Sequence, residues 1–186
     1  MRQGVPDYLR LGLRLVIVGI NPGLRSGATG HHYAYAGNHF WPLLFDSGLL
    51  PERLTYESDH RALEFDIGLT NLCERTTKEA NELTREEMAA GAAMLRAKLL
   101  DFAPRVVCFN GMGIYDALLA NWPDVAPVGK RRKIAPGLQP ERLGTTQLFV
   151  VPSSSGRTAA YPRQIKLGYF RELKQLVDSL PVEASA

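Results

Sequence analysis

The sequence has only two cysteines, no long apolar run and no apolar leader. Cys73 and Cys108 are too few for a disulfide framework or a cysteine-based zinc site. We therefore expect both to pack in the core of a protein kept under reducing conditions. No apolar run reaches the length of a membrane-spanning helix. The first residues, MRQGVPDYLR, lack the apolar stretch of a secretory signal. We expect an intracellular protein with no membrane partner.

The common motifs of nucleotide, metal and serine-hydrolase sites are also absent. The chain has no GxxxxGK[ST] for a P-loop, and no GxGxxG follows its first apolar run. It has no GxSxG, HExxH or CxxC. Two adjacent histidines, His31 and His32, have no evident partner cluster. We therefore predict no metal site and no cofactor.

Composition and charge indicate one ordinary globular domain. The 186 residues are 45% hydrophobic and 22% charged, which is typical of a globular chain with a real core. We predict a single domain over 1–186, with a core of about 13–180 and loose termini. The net charge of +3 is too small to identify a partner. The densest basic cluster, 130–133 (KRRK), is either a solvated loop or a phosphate contact.

Apolar runs alternate with amphipathic segments along the chain. The predicted strands are 13–20, 65–72, 105–110 and 147–152, and the predicted helices are 39–48 (with Asn38 as cap), 84–101, 112–120 and 163–180. Residues 21–33 are predicted neither to fill the core nor to form a helix. Such alternation is typical of an α/β fold with three layers (α/β/α). Its central sheet would be short and mostly parallel, with about four strands and helices on both faces.

Small or polar residues follow every predicted strand. They are Asn21-Pro22-Gly23, Thr70-Asn71, Asn110-Gly111 and Ser153-Ser154-Ser155. Ligands of open parallel sheets bind at the carboxyl ends of the strands, where these residues would meet. Amides and hydroxyls suit a planar, neutral ligand such as a nucleobase, and asparagine can pair with a base edge. Tyr33 or Tyr35 is available to stack on the base face.

Five motifs, in order, resemble those of the mismatch-specific uracil/thymine-DNA glycosylases. They are GINPG at 19–23, GHHYxxxGNHFW at 30–41, GLTNLCERTT at 68–77, FNG at 109–111 and VPSSSGR at 151–157. The resemblance covers about residues 13–178. It is closer to the thymine-DNA glycosylase branch, because the bacterial uracil-specific branch tends to carry Asn-Pro-Ser where this chain has 152–155 (PSSS).

The resemblance implies a uracil-DNA-glycosylase-like fold and a monofunctional DNA glycosylase. Such an enzyme flips a mispaired base out of double-stranded DNA. It then hydrolyses the N-glycosidic bond of uracil, or of thymine or another modified pyrimidine, opposite guanine. The product is an abasic site for base excision repair. The family uses no metal or cofactor, and we expect a monomer.

The resemblance also implies residue roles. Asn21 would position the attacking water, and Asn71 and Thr77 would lie near the base and the water. Base binding would involve Gly19, Ile20, Ser26 (at the C5 edge of the pyrimidine), His32, Tyr33 (as the stacking ring) and Asn38. DNA phosphates would meet Ser153, Ser154, Ser155 and Gly156, and Arg157 would fill the gap in the duplex and touch the orphan guanine.

Asp66 is the main departure from the family pattern, which has no carboxylate just before the Ile-Gly step. A carboxylate there would stabilise the sugar cation or act as a base on the water, as in glycosidases. The alternative is a solvated aspartate at the start of a strand. We include Asp66 among the candidate catalytic residues.

Two other functions remain open from the sequence. One is a non-catalytic reader of damaged bases, which would keep the pocket but lack a positioned water. The other is a small-molecule nucleoside hydrolase on the same fold, which would not depend on duplex DNA.

Overall fold

The computed structural model describes residues 4–125 and 133–181, and it contains a five-stranded sheet in the order β2-β1-β3-β5-β4. The strands are β1 (Leu15–Gly19), β2 (Ile67–Asn71), β3 (Val106–Asn110), β4 (Gly137–Leu143) and β5 (Thr146–Val151). All neighbours pair in parallel except β4, which is antiparallel to β5. The predicted mostly parallel sheet is confirmed.

The sheet has one more strand than the sequence predicts. Strand β4 contains exposed residues at alternate positions and an internal proline, Pro140, so it lacks the apolar run that marks the central strands. Such a strand is tolerated because it lies at the edge, where one side needs no ladder hydrogen bonds.

Helices cover both faces, which makes three layers. They are α1 (Leu24–Thr29), α2 (Phe40–Asp46), α3 (Arg85–Phe102), α4 (Met112–Asn121) and α5 (Arg163–Ser179), with 3₁₀ segments at Tyr56–Phe65 and Ala80–Glu82. Alternate residues of each central strand point to opposite faces. Leu15 and Ile17 therefore pack with α2 and α5, whereas Val16 and Val18 pack with α3 and α4. The predicted three-layer α/β/α architecture is confirmed.

Local sequence signals explain the start of α3 fully and the start of α2 in part. Helix α3 begins after a capping box, in which Thr84 Oγ1 accepts from the Glu87 N–H and the Glu87 carboxylate accepts from the Thr84 N–H. The predicted cap of α2 is one residue out: His39 holds the cap position, while Asn38 Oδ1 accepts the Phe40 N–H at 3.0 Å.

Helix α1 contradicts the prediction that residues 21–33 contain no helix. It is only six residues long, and it begins directly after Gly23 and ends at Gly30, which has a φ of 75°. Neither end carries a side-chain cap signal, so the sequence gives little local indication of this helix. The Pro22-Gly23 turn places it over the end of β1.

The register aligns the carboxyl ends of the parallel strands. Gly19 of β1 pairs with Asn71 of β2, and Asn110 of β3 pairs with Val151 of β5. The polar residues that follow these strands therefore meet at one edge, as predicted. Among the described residues, no helix is long and apolar enough to cross a membrane.

Candidate active site

A cavity of about 400 Å³ opens at this edge of the sheet, within the usual size range of small-ligand sites. Its described lining contains amides, hydroxyls and three cationic side chains, Arg25, Lys78 and Arg157, but no carboxylate. From the predicted site residues, the lining includes Gly19, Ile20, Asn21, Ser26, His32, Tyr33, Asn38, Asn71, Ser153, Ser154, Ser155 and Arg157. The cavity therefore suits a neutral polar group attached to an anion.

The Asn21 amide is fixed by two acceptors. Its Nδ2 donates to the Arg75 carbonyl at 2.8 Å and to Thr77 Oγ1 at 2.7 Å. A carbonyl oxygen only accepts, so the amide nitrogen must face Arg75. Within the described part of the chain no donor contacts Asn21 Oδ1. This oxygen is therefore the acceptor that Asn21 offers to a ligand or a water.

Thr77 reaches the cavity only through Asn21. It is 3% exposed and does not line the cavity. Its hydroxyl donates to the Glu79 carbonyl at 2.8 Å, so its lone pairs face the Asn21 amide. Its N–H also bonds the Pro22 carbonyl at 3.1 Å. Thr77 is thus placed as a positioning residue for Asn21, one step removed from direct contact with a ligand.

Gly19 lets two functional side chains share the floor of the cavity. A Cβ at this position would lie 2.5 Å from Asn71 Oδ1 and 3.1 Å from the Tyr33 hydroxyl. Any larger residue would push the Asn71 amide away from its place at the end of β2. The glycine that begins the GINPG motif is therefore required by close packing.

Tyr33 lies against the core with one ring face covered. Its ring stacks on Phe40 with centroids 3.6 Å apart and planes 18° from parallel. Burial raises the pKa of its phenol, so the hydroxyl stays protonated. Its φ of 55° is unusual for a residue with a side chain. Tyr35 instead is 47% exposed and supports Arg157, whose guanidinium carbon lies 5.0 Å from its ring centre.

A buried carboxylate that the sequence analysis missed holds the turn before Tyr33. Asp59 is fully buried, and its oxygens accept from the His32 N–H at 2.7 Å and the Tyr8 hydroxyl at 3.1 Å. His31 Nδ1 lies 3.0 Å from the same carboxylate. Burial, then the Asp59 charge, raises the pKa of Tyr8 to about 12. These partners are distant in sequence, so no local pattern indicated Asp59.

His32 is buried and neutral. Its Nε2 lies 2.8 Å from the Pro6 carbonyl and must carry the proton, because that oxygen only accepts. Burial lowers the pKa of the ring, an effect larger than the opposing Pro6 contact and the charges of Asp59 and Asp7. The ring therefore lines the cavity with Nδ1 as its acceptor nitrogen.

Ser26 lies on α1 instead of a flexible loop. It is 7% exposed, and its hydroxyl accepts the Ala34 N–H at 3.1 Å. This bond joins α1 to the turn that carries Tyr33. Ser26 therefore helps to shape the wall that it lines.

A buried network joins the ends of β3 and β5 to the start of α2. Asn110 Nδ2 donates to Ser154 Oγ at 2.8 Å, and its Oδ1 accepts the Ser154 N–H at 2.9 Å. Ser154 Oγ donates to Asn38 Oδ1 at 2.7 Å. Asn110 was a missed site residue, although its strand-end position and the FNG motif carried the signal.

Ser154 corrects one prediction for the phosphate loop. It is fully buried, and both its hydroxyl and its N–H are bonded within the network. It therefore builds the cavity wall and has no group left for a phosphate. Ser153 and Ser155 differ, because their hydroxyls accept N–H bonds from 155 and 157 at 3.3 Å and keep their own protons for donation. Gly156 and Arg157 are exposed on the same loop.

Asp66 is not in the site, which corrects the prediction that it is catalytic. It precedes β2 at the amino end of that strand, whereas the cavity lies at the carboxyl end. The intervening strand separates them by roughly 16 Å, at about 3.3 Å a residue. Asp66 pairs with Arg10, and its Oδ2 lies 3.7 Å from Arg14 Nε.

The basic cluster 130–133 falls outside the described residues except for Lys133, which is exposed.

Comparison with known families and curated proteins agrees with this arrangement. Residues 6–176 match the family model of the uracil DNA glycosylase superfamily. The chain is 37% identical over 169 residues to a G/U mismatch-specific uracil DNA glycosylase from Schizosaccharomyces pombe. The match covers 88% of this chain and 50% of that protein, so the chain spans about half the length of this curated relative.

A solved structure supports the fold. The chain resembles the solution NMR structure of a candidate uracil DNA glycosylase from Methanosarcina acetivorans with a TM-score of 0.59. The two share 22% sequence identity, and the match covers 93% of this chain and 98% of the other. At this identity the likeness concerns the fold alone.

Proposed function

Because the chain belongs to the uracil DNA glycosylase superfamily, we propose that it hydrolyses the N-glycosidic bond of uracil mispaired with guanine in double-stranded DNA. Thymine and other modified pyrimidines are further candidate bases. The product is an abasic site in base excision repair. The relative from S. pombe carries the name of this activity, and the polar cavity has the size and chemistry for a flipped nucleotide.

The observation that carries the proposal is the clamped amide of Asn21. With Nδ2 held by Arg75 and Thr77, Oδ1 is set to accept a hydrogen bond from one water. An amide is too weak a base to deprotonate water at rest. An amide acceptor is sufficient to orient the water if the bond from C1′ to the base breaks first and the bonding electrons leave with the base. The sugar cation then accepts the water, and the proton that the water loses after the new C–O bond forms neutralises the anionic base that has left.

The opposite wall would hold the base. Asn71 lies beside Gly19 and offers an amide for the base edge. The ring face of Tyr33 that Phe40 leaves uncovered would stack on the base. Neutral His32 and the hydroxyl of Ser26 complete this wall. Hydrogen bonds from these groups would grow stronger as charge develops on the departing base, which favours the transition state.

The DNA backbone would lie across the cationic rim. Arg25, Lys78 and Arg157 line the cavity, and the hydroxyls of Ser153 and Ser155 are further donors there. The Gly156 N–H is already bonded to the Gly37 carbonyl at 3.0 Å. Positive charge at this position would attract phosphates and make binding sensitive to salt. We keep the expectations of a monomer that acts inside the cell without a metal or cofactor.

The test is base excision from labelled duplexes that carry one G·U, G·T or A·U pair, with single-stranded U alongside and EDTA present. We expect abasic sites from the G·U duplex. Asn21→Ala should lower the single-turnover rate by about 10³-fold while the protein stays folded. Thermal unfolding and DNA binding of the variant provide the control.

Other outcomes would favour the other functions. Binding of mismatched DNA with no release of base by the wild type would indicate a damaged-base reader. Release of base from free nucleosides, with no dependence on duplex DNA, would indicate a nucleoside hydrolase. Wild-type activity in Asn21→Ala would contradict the proposed role of its amide.

A further inference from the structure

A lysine is buried directly beneath the loop formed by residues 153–157. Lys166 lies in the first turn of α5 and is 1% exposed. Its Nζ donates to the Ser155 carbonyl at 2.8 Å. Lysine is almost never this buried without a charged partner. The position of Lys166 therefore calls for an explanation beyond one hydrogen bond to the backbone.

No carboxylate in the described part of the chain forms an ion pair with Lys166. Asp46, which faces the start of α5, instead pairs with Arg163 and lies 3.8 Å from Arg53. An unpaired charge in a buried place is costly, since it loses its hydration and gains no counter-charge. Burial accordingly lowers the pKa of the Lys166 amine.

His39 lies beside the same loop as a second polar side chain. Burial, followed by the charges of Lys166 and Arg163, lowers the pKa of the imidazole. Its Nδ1 is buried and has no hydrogen-bond partner among the described residues. Its Nε2 lies 3.7 Å from the point where a side chain on Gly156 would begin. The lowered pKa keeps the His39 ring uncharged near neutral pH, so Lys166 is the buried charge under this loop that lacks an anion within the described part of the chain.

The outer side of this loop carries the donors for an anion. Ser153 and Ser155 keep hydroxyl protons, and Arg157 is exposed. The Gly156 N–H is not among these donors, because it bonds the Gly37 carbonyl at 3.0 Å. A phosphate on that side would be separated from the Lys166 amine only by the loop backbone. Attraction across such a poorly hydrated layer is stronger than between exposed charges, and salt screens it less.

We propose that Lys166 is a buried counter-charge for a DNA phosphate bound on the outer side of loop 153–157, an inference that rests on the proposed function. In the free protein the buried ammonium of Lys166 has no counter-charge, which is unfavourable, and a bound DNA phosphate supplies one. Lys166 is therefore a binding residue that acts through the loop, in addition to the exposed Arg157. It touches neither the base nor the water.

The test removes the charge and keeps a hydrogen-bond donor. Lys166→Gln has an amide N–H, one bond closer to the backbone than the Lys166 Nζ, and Lys166→Arg retains the charge. The matched control is Lys174→Gln on the same helix, because Lys174 is a surface residue paired with Asp178. Binding is measured over a salt series with a G·U duplex whose uridine carries a 2′-fluoro group that resists cleavage. A second set of duplexes carries one neutral methylphosphonate at each phosphate flanking the uridine.

We expect Lys166→Gln to raise Kd by about 3- to 10-fold and to lower the slope of log Kd against log salt by about 1. One methylphosphonate should weaken DNA binding by the wild type and by Lys174→Gln but have little further effect on DNA binding by Lys166→Gln. Lys166→Arg should keep the sensitivity to that methylphosphonate. Unfolding midpoints of all variants show whether the loop and core survive.

The inference is overturned if Lys166→Gln keeps the wild-type salt slope. It is also overturned if every methylphosphonate weakens DNA binding by Lys166→Gln as much as it weakens DNA binding by the wild type. If Lys166→Gln fails to fold, Lys166→Arg provides the test. Loss of the methylphosphonate effect in Lys166→Arg overturns the inference, and retention of that effect supports it. The proposed function fails separately, through a wild type that neither binds nor cleaves the G·U duplex.

Discussion

At the scale of single residues, function here depends on which atom of an amide is free. Asn21 has a nitrogen and an oxygen of nearly equal size, and only its partners decide which one meets a ligand. The Arg75 carbonyl and the Thr77 hydroxyl take the nitrogen. Ser154 shows the reverse case, since its partners in Asn110 and Asn38 leave it no free group.

Thr77→Val tests the positioning role of the hydroxyl. Valine keeps the shape of threonine but removes the acceptor, which leaves the Asn21 amide held by the Arg75 carbonyl and a longer contact of 3.4 Å to the Pro22 carbonyl. We expect kcat for G·U excision to fall by about 10²-fold with KM nearly unchanged, because a small misplacement of the water affects the chemical step. Thr77→Ser should keep most of the activity. Equal kcat in wild type and valine variant would refute this role.

Asp66→Asn tests the corrected position of that aspartate. The residue has a φ of 60°, which asparagine tolerates well, and its ion pairs with Arg10 and Arg14 are exposed. We expect wild-type excision and a change in the free energy of unfolding below about 1 kcal/mol. A folded variant with strongly reduced excision would return Asp66 to the mechanism. Asn21→Ala serves as the inactive reference.

At the scale of elements, the wall of the cavity is assembled from pieces that are far apart in the chain. Helix α1 contributes Ser26 to the wall, and the 3₁₀ segment Tyr56–Phe65 supports the wall through Asp59, which does not itself line the cavity. Both fix the turn that leads to Tyr33, one through the Ala34 N–H and the other through the His32 N–H. The turn is thus held from two sides, which compensates for its strained Tyr33 backbone.

Asp59→Ala tests how much that support matters. The change leaves the Tyr8 hydroxyl and the His32 N–H without their buried acceptor, so we expect a loss of about 1–3 kcal/mol in the free energy of unfolding. Because the turn shapes the base wall, KM for G·U DNA should rise. Asp59→Asn, which keeps one acceptor oxygen, should recover part of both. Glu57→Ala in the same segment is the exposed control, and equal KM values in Asp59→Ala and Glu57→Ala would contradict the proposal.

At the scale of the whole molecule, the three layers place one polar edge over an apolar core. The two core clusters lie on opposite faces of the sheet, and the polar cavity opens at the carboxyl ends of the parallel strands. Some polar groups are nevertheless buried deeply enough to link folding to pH. His32 is the clearest of them.

We expect stability to fall in mild acid because of His32. Its pKa lies below the ordinary 6.5 in the folded state, so between that lower value and pH 6.5 the unfolded chain binds more protons. The contribution of His32 is therefore complete above pH 6.5 and is lost as the pH falls towards the folded-state pKa. Urea unfolding at pH 7.5 and 5.5 measures it.

Two variants show whether His32 causes the loss of stability in mild acid. His32→Gln should show a smaller decrease in the free energy of unfolding between pH 7.5 and 5.5 than the wild type. His60→Gln changes an exposed histidine and should keep the wild-type decrease. An equal decrease in His32→Gln and His60→Gln would attribute the pH effect to other groups.

The sequence by itself determined the central strands, most helices and the edge at which their polar ends meet. Those features follow from local periodicity, caps and strand endings, and the GINPG and SSSGR motifs were already in place. Tertiary structure alone decided the edge strand β4, the helix α1 and the roles of single side chains. Their positions depend on contacts between distant residues, which local pattern does not contain.

Asp66 and Asp59 illustrate the difference between what local sequence determines and what tertiary structure determines. Both are aspartates within one charged stretch, and neither has a local signal that separates a surface ion pair from a buried acceptor. The sheet places Asp66 at its amino end beside Arg10, and packing encloses Asp59 with Tyr8 and His32. An aspartate's chemistry is set by its partners and its burial, and only the folded chain supplies them.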